Sequence, residues 1–164
     1  MLRLLRPVLG LTLCLGLLSG CLFNNTGPTT KLRESVQAMN KATRWGQLGQ
    51  ATRMVDPAYR ARFVETHRHW GTVIQVADSE VVQMEMTPDH ENATAIVAYN
   101  WYLADAMTLQ TTVVRQRWAD MDGNYGLISE AIVQGDPRLF EYEGRKDPED
   151  IEFNDTAQMI SAPF

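Results

Sequence analysis

The stretch from Val73 to Val133 constrains the fold most, because it consists of strand-like segments joined by short turns. Val, Ile, Thr, Trp and Tyr are abundant in these segments, and such side chains favour pleated structure. Asp122-Gly123 is a strong two-residue hairpin signal between the last two segments. Short loops between consecutive strands predict a mostly antiparallel, meandering sheet. We expect strands over 73–76, 80–86, 93–103, 108–118 and 125–133.

Helical patterns precede the strands. Leu32, Val36 and Met39 recur at helical spacing and predict an amphipathic helix over 31–45. A short helical turn follows, and Pro57 suits the start of a third helix. Helices followed by antiparallel strands predict an α+β fold, with the N-terminal helices packed on one face of a curved sheet.

Several residues in this arrangement resemble the nuclear-transport-factor-2-like (cystatin-related cone) superfamily, called NTF2-like below. In that superfamily, the penultimate hairpin often has a strand ending in Trp, a Gly turn, and then an aromatic and an aliphatic residue. The resemblance spans roughly 31–133 and implies an NTF2-like cone. It is carried by Arg44-Trp45, Val55-Asp56-Pro57, Phe63, Gln116-Arg117-Trp118 and Asp122-Gly123-Asn124-Tyr125-Gly126-Leu127.

The same resemblance suggests where an active site would lie. Enzymes of the superfamily often place a His and an Asp, sometimes with a Tyr, inside the cone for proton abstraction. No residue here matches an active-site motif, so no catalytic residue is predicted. Asp56 is the nearest candidate for the Asp of such a site. Tyr99 and Trp101 alternate onto one strand face and suit a core or cavity wall. The candidate cavity residues are Tyr59, His67, Tyr99 and Trp101.

The segment His67-Arg68-His69 contains the histidine pair of the chain. In a helix the two rings would point in different directions and could not share a metal ion, whereas in an extended segment they could lie on one face. No third ligand is specified, so we expect solvated surface histidines, with no metal and no cofactor. Arg115 and Arg117 share one strand face, and a solvated outer face is the ordinary explanation.

The N-terminal segment has the pattern of a secretory signal. Arg3 and Arg6 precede a short apolar run from Val8 that is too short to span a membrane as a helix. The run closes with Leu18-Ser19-Gly20-Cys21, which resembles a bacterial lipobox, cut just before the cysteine. We therefore expect 1–20 to be a lipoprotein signal peptide.

The lipobox resemblance implies a diacylglyceryl thioether on Cys21 and usually a further acyl group on its amine. Two or more acyl chains hold a protein firmly on a membrane. Residues 21–30 would then be the lipidated cysteine and tether, and 31–135 the folded domain. We expect a lipid-anchored protein of the cell envelope. Leu22 is compatible with the periplasmic face of the outer membrane if the bacterium is Gram-negative.

Charge is concentrated near the C-terminal end. The chain carries a formal net charge of -5, and the segment 136–164 holds eight acids against three bases. The body has no basic surface of the kind that nucleic acid requires, so no nucleic-acid partner is expected. We expect 136–164 to be an acidic, solvated tail. Alternatively, it is a partner-binding arm in which Leu139-Phe140, Ile151 and Phe153 supply apolar anchors.

Two functions remain open. The leading hypothesis is a membrane-anchored, non-catalytic interaction or accessory module that binds another envelope protein, because no acid-base, nucleophile or metal motif is present. The alternative is an NTF2-like enzyme or a binder of small apolar ligands that uses the cone cavity.

Overall fold

A computed structural model describes residues 27–143. The predicted leader, Cys21 and most of the acidic tail lie outside this range. Three helices come first and four strands follow, so the α+β prediction is confirmed. In chain order the elements are α1 (Pro28–Arg44), α2 (Leu48–Ala51), a 3-10 turn (Thr52–Met54), α3 (Arg60–Thr66), β1 (Ile74–Met86), β2 (Asn92–Leu103), β3 (Gln110–Met121), β4 (Asn124–Gln134) and a 3-10 turn (Pro137–Leu139).

The four strands form one antiparallel meander in the order β1-β2-β3-β4. The predicted turn between β3 and β4 is confirmed, because Asp122 and Gly123 both have positive φ, at 56° and 87°. Positive φ at both central residues is typical of a type I′ turn, whose twist matches that of the flanking strands. The two predicted segments 73–76 and 80–86 are one strand, β1, interrupted by two bulges. Bulges bend a strand and increase its twist.

Helix α1 packs on the inner face of the sheet, against β1 and β4. Its predicted apolar stripe is confirmed, since Leu32, Val36 and Met39 are at most 1% exposed. The helix begins at Pro28, inside the predicted tether 21–30. Proline is favoured in the first turn, where its missing N–H removes no helical hydrogen bond. No helix among residues 27–143 is long and apolar enough to cross a membrane.

A contact between two glycines closes the helical layer onto the start of the sheet. Gly46 follows α1 and Gly71 precedes β1, and both have positive φ. A Cβ on Gly71 would lie 2.9 Å from the Cα of Gly46, so a side chain there would force the two backbones apart. This close approach holds the loop between α3 and β1 against the end of α1.

The chain after β4 returns to the core. Leu139 is fully buried, and the indole Nε1 of Trp70 donates a hydrogen bond of 2.8 Å to its carbonyl oxygen. Phe140 stacks on Trp70 with ring centroids 6.0 Å apart. Packed structure therefore extends beyond the predicted domain end at 135 into the predicted tail. Leu139 and Phe140 belong to the domain's own core, so the expectation that they form a solvated tail or anchors for a partner is wrong.

Candidate functional site

Three of the four candidate cavity residues surround one carboxylate that sequence reasoning missed. Tyr59, His67 and Tyr99 all lie near Glu130 on β4. Trp101 is fully buried on the same face of β2 as Tyr99, and its indole donates to the Thr112 hydroxyl instead. The interior therefore holds a polar cluster whose centre is Glu130. Its other members are Asn40 on α1 and Gln116 on β3.

His67 follows the last turn of α3 and is fully buried. Its ring stacks on Phe63 at a centroid distance of 4.1 Å and contacts Trp70 at 4.4 Å and Phe140 at 5.1 Å. The expectation of a solvated His67 is wrong, because two aromatic rings near it in the sequence and a third from the chain after β4 enclose it. His69 lies nearer the surface, where its Nε2 accepts a hydrogen bond of 2.8 Å from Arg68.

A β-bulge turns the Glu130 side chain into the core. In a regular strand, Leu127 and Glu130 would face opposite sides of the sheet because they are three positions apart. The register shift between Arg117 and Trp118 inserts one residue into β4, so that Trp118 pairs with Leu127 and Gln116 pairs with Glu130. Both β4 side chains therefore point inward. The Glu130 side chain is only 1% exposed.

Hydrogen bonds link this carboxylate to α1. The amide nitrogen of Asn40 donates a hydrogen bond of 2.8 Å to the backbone carbonyl of Val36 and one of 3.2 Å to the side-chain oxygen of Gln116. The amide nitrogen of Gln116 lies at hydrogen-bond distance from the side-chain oxygen of Asn40, at 2.9 Å, and from Oε1 of Glu130, at 3.0 Å. The hydroxyl of Tyr99 donates to the same Asn40 oxygen. The result is a continuous polar chain from the helix through β3 to β4.

At its far end this chain meets His67. The Nε2 atom of His67 lies 3.4 Å from Oε2 of Glu130. Neither atom has a hydrogen-bond partner within standard geometry. On the other side of the ring, Nδ1 lies 2.8 Å from the carbonyl oxygen of Phe63. We call His67 and Glu130 the buried pair.

Burial dominates the titration of the pair. It lowers the pKa of His67 to about 4, against a smaller effect of the Phe63 carbonyl that favours the charged ring. It raises the pKa of Glu130 to about 8, partly offset by the hydrogen bond from Gln116. Both shifts favour the uncharged forms, as expected for groups removed from water.

The two tyrosines near Glu130 stay protonated at neutral pH. The Tyr59 hydroxyl accepts a hydrogen bond of 3.1 Å from the backbone N–H of Glu130. Burial raises the pKa of Tyr59 to about 12, and the charge of Glu130 adds to this effect. Burial also raises the pKa of Tyr99 well above its usual value, again with a contribution from Glu130.

Asp56, the acid that the superfamily comparison suggested, serves the backbone instead. Its carboxylate accepts a hydrogen bond of 2.8 Å from the N–H of Ala58, and its own N–H donates 2.9 Å to the carbonyl of Leu127. These bonds order the turn before α3. Within residues 27–143, no cluster of three or more His, Cys, Asp or Glu side chains could hold a metal ion.

The chemistry of the pair is limited by access. A neutral imidazole with a free Nε2 can act as a base, but only on a proton that it can reach. His67 and the side chain of Glu130 are 0% and 1% exposed. Surface depressions among residues 27–143 lie away from the pair, for example beside Leu103 and Tyr142 and beside Lys31 and Tyr125. In this arrangement the side chains of the pair contact the protein interior and offer almost no surface to a substrate.

No protein-family model and no curated protein matches this chain. Among solved structures, it is similar to the solution structure of a SEC-C motif containing protein from Rhodopseudomonas palustris, with a TM-score of 0.53 and 13% identity, over 61% of this chain and 77% of that chain. It is also similar to the crystal structure of the intermembrane space region of the chloroplast protein ARC6, with a TM-score of 0.47 and 9% identity, over 66% of this chain and 97% of that chain. The first likeness concerns the α+β fold alone.

Proposed function

We propose that this chain is a lipid-anchored, non-catalytic interaction module of the bacterial cell envelope, with an NTF2-like cone as its folded domain. The observation that carries the proposal is the filled interior. Large side chains occupy the space in which a cone enzyme would hold its substrate. Those less than 2% exposed include Trp101, Trp118, Tyr99, Phe63 and Met39.

The anchor in this proposal is Cys21, which lies outside the described residues. Leu18-Ser19-Gly20-Cys21 supports it by resemblance to a lipobox. Only a few residues separate Cys21 from Pro28, where α1 begins. At about 3.5 Å per extended residue, the domain would lie close to the bilayer, on the periplasmic face of the outer membrane in a Gram-negative cell.

The proposed contact surface is the outer face of the sheet, which the helices leave uncovered. Arg115 and Arg117 are exposed there, as the sequence predicted. In the strand register, Arg117 lies opposite Thr94 and Arg115 opposite Ile96. This mixture of charged, polar and apolar groups suits an envelope protein partner with acidic groups rather than nucleic acid.

The first test concerns the anchor. Cys21→Ala should abolish lipid attachment and release the protein from the membrane fraction, whereas Cys14→Ala should leave anchoring intact because that residue precedes the cut. Intact-mass measurement of the purified native protein and membrane fractionation of both variants provide the readouts. A mature terminus other than a lipidated Cys21 would exclude this anchor.

The second test concerns the contact surface. Reversing both charges with Arg115→Glu and Arg117→Glu should weaken crosslinking of the full-length protein to its envelope partner. Arg33→Glu combined with Lys41→Glu is the matched control, since both side chains are exposed on α1 and the net charge changes by the same amount. Equal loss of crosslinking in the control would show that total charge matters rather than this face, and retention in the double variant would contradict the proposed surface.

One observation favours a second candidate, an NTF2-like enzyme or a binder of small apolar ligands. The facing atoms Nε2 of His67 and Oε2 of Glu130 lack hydrogen-bond partners. Buried polar atoms without partners are uncommon and often belong to functional sites. If the interior opens, an apolar fluorescent dye should bind the folded protein and His67→Gln should change its affinity. An unchanged dye affinity in a folded His67→Gln variant would exclude the pair from such a site.

A further inference from the structure

The orientation of each group in the polar chain is fixed from its α1 end. The backbone carbonyl of Val36 can only accept a hydrogen bond, so the Asn40 nitrogen must face it at 2.8 Å. The Asn40 oxygen is then an acceptor, and Gln116 donates to it at 2.9 Å. The same Gln116 nitrogen lies 3.0 Å from Oε1 of Glu130 and 3.0 Å from the Tyr99 hydroxyl, and these two oxygens share its second hydrogen. Oε2 is therefore the oxygen that faces His67.

The other end of the chain fixes the tautomer of the imidazole. Nδ1 of His67 lies 2.8 Å from the carbonyl oxygen of Phe63, which can only accept, so Nδ1 carries a hydrogen. Nε2 therefore faces Oε2 of Glu130 at 3.4 Å with one proton to be placed between them. With no proton there, two acceptors would oppose each other. With two protons, two donors would do so.

The location of that proton follows from burial. An ion pair would need two charges in a region with 0% and 1% exposure, and each buried charge costs several kcal/mol. The carboxyl group receives one side-chain donor, from Gln116, whereas a buried carboxylate is normally stabilised by several. The neutral arrangement avoids both buried charges and still places one proton between the two facing atoms, which are 3.4 Å apart. In it, Oε2 carries the proton and directs it at Nε2.

We infer that His67 and Glu130 form a buried proton-binding site, in which neutral Glu130 directs its proton at Nε2 of His67 and the folded domain loses stability when this proton is removed. The site binds a proton and needs no opening to a larger ligand. It does not depend on the function proposed above.

Among the described residues 27–143, no charged side chain contributes to the pKa shift of either member of the pair. Asn40 of α1, Thr43 of α1 and Gln116 of β3 are neutral, and Thr66 of α3 is a neutral hydroxyl 3.0 Å from Nδ1. The side chains of Phe63, Trp70 and Phe140 are aromatic. The titratable neighbours identified within residues 27–143 are Tyr59 and Tyr99, and burial raises both pKa values. Arg62 influences Tyr59 and is exposed beside Glu65.

The pH dependence follows from counting protons in the folded and unfolded states. Unfolded, His67 and Glu130 titrate near 6.5 and 4.5. Between these pH values each state holds one proton, on the histidine when unfolded and on the glutamic acid when folded. Above 6.5 the unfolded chain holds none, while the folded domain keeps its proton up to the raised pKa of about 8. The folding equilibrium constant therefore falls about tenfold per pH unit between about 6.5 and 8.

Urea unfolding of the purified full-length protein, measured from about pH 5 to 9, tests this inference. The midpoint should stay level up to about pH 6.5 and then fall. Glu130→Gln should abolish the fall, because its amide can donate to Nε2 without titrating. Glu91→Gln, at an exposed position, should retain it. A fall that persists unchanged in folded Glu130→Gln would overturn the inference.

A second variant separates the two members of the pair. In His67→Gln the unfolded chain no longer has a histidine at this position, so the fall should begin near pH 4.5 instead of 6.5. His69→Gln should leave the onset at 6.5. An unshifted onset in folded His67→Gln would contradict the shared proton.

The parent protein offers a readout that needs no variant to fold. Nitrogen NMR at pH 7 should show that Nδ1 of His67 carries a hydrogen and that Nε2 carries none. Hydrogen on Nε2 at that pH would overturn the inference. As the pH rises through about 8, the Nε2 resonance should shift when the neighbouring acid ionises.

Discussion

The β3–β4 hairpin has two inner regions with opposite chemistry. Near the turn, Trp118 pairs with Leu127, and both side chains are fully buried among apolar neighbours. On the other side of the bulge, Gln116 pairs with Glu130, and both side chains belong to the polar chain. The apolar region gains stability from removing surface from water, whereas the polar region must satisfy each group it buries. The same pair of strands therefore supplies a structural core and a titratable site.

The largest expected effect tests the apolar region. Leu127→Ala should lower the free energy of unfolding by about 2–5 kcal/mol, because it removes buried methyl groups and leaves a cavity. Leu109→Ala, at a side chain that is 62% exposed, is the matched control and should change it little. Chemical denaturation at constant pH measures both. Equal losses in the free energy of unfolding for the two variants would show that the Leu127 side chain does not contribute to a packed core.

The next effect tests the polar region. Asn40→Leu should lower the free energy of unfolding by about 2–4 kcal/mol, since Tyr99 and Gln116 each lose a partner and an unsatisfied buried group costs about 1–3 kcal/mol. Replacing Gln116 by Leu as well should cost less than the sum of the two single changes, because both single changes remove the same Asn40–Gln116 hydrogen bonds. Strict additivity of the two changes in a double-mutant cycle would argue against a coupled network.

A smaller effect tests the turn that sets the register of both regions. Gly123→Val should lower the free energy of unfolding by about 1–3 kcal/mol, because a β-branched residue resists the φ of 87° found there. Gly123→Asn should cost less, since asparagine adopts positive φ more readily. Thermal unfolding of the two variants checks this order. An unchanged melting temperature for Gly123→Val would mean that the turn can rearrange without loss.

The sequence predicted the elements better than it predicted the site. Alternation along β2 correctly placed Tyr99 and Trp101 on the buried face. Alternation from Val114 and Trp118 also puts Gln116 on that face, so its burial had a signal. The burial of Glu130 had a weaker signal, because Glu130 lies two positions from Ile132 and would share its face of the strand. What sequence alone could not show was that the bulge brings Leu127 and Glu130 to the same side.

His67 shows why burial of a polar residue is hard to predict. Nothing in His67-Arg68-His69 distinguishes the first histidine from the second. Phe63 and Trp70 are close to His67 in the sequence, but Phe140 comes from the chain after β4, and the three rings meet around one imidazole. Phe140 lay in the predicted acidic tail, so no local pattern pointed to this contact.

The order of residue types along the chain was enough to predict the α+β class, the antiparallel meander, the Asp122-Gly123 turn and the apolar stripe of α1. These features depend on side-chain period and on the φ preferences of a few residues, which are local properties. The 3.4 Å approach of His67 to Glu130, away from water, depends on how distant parts of the chain pack together. Desolvation depends on every segment that packs around a group, so the pKa values of this pair are a property of the assembled fold.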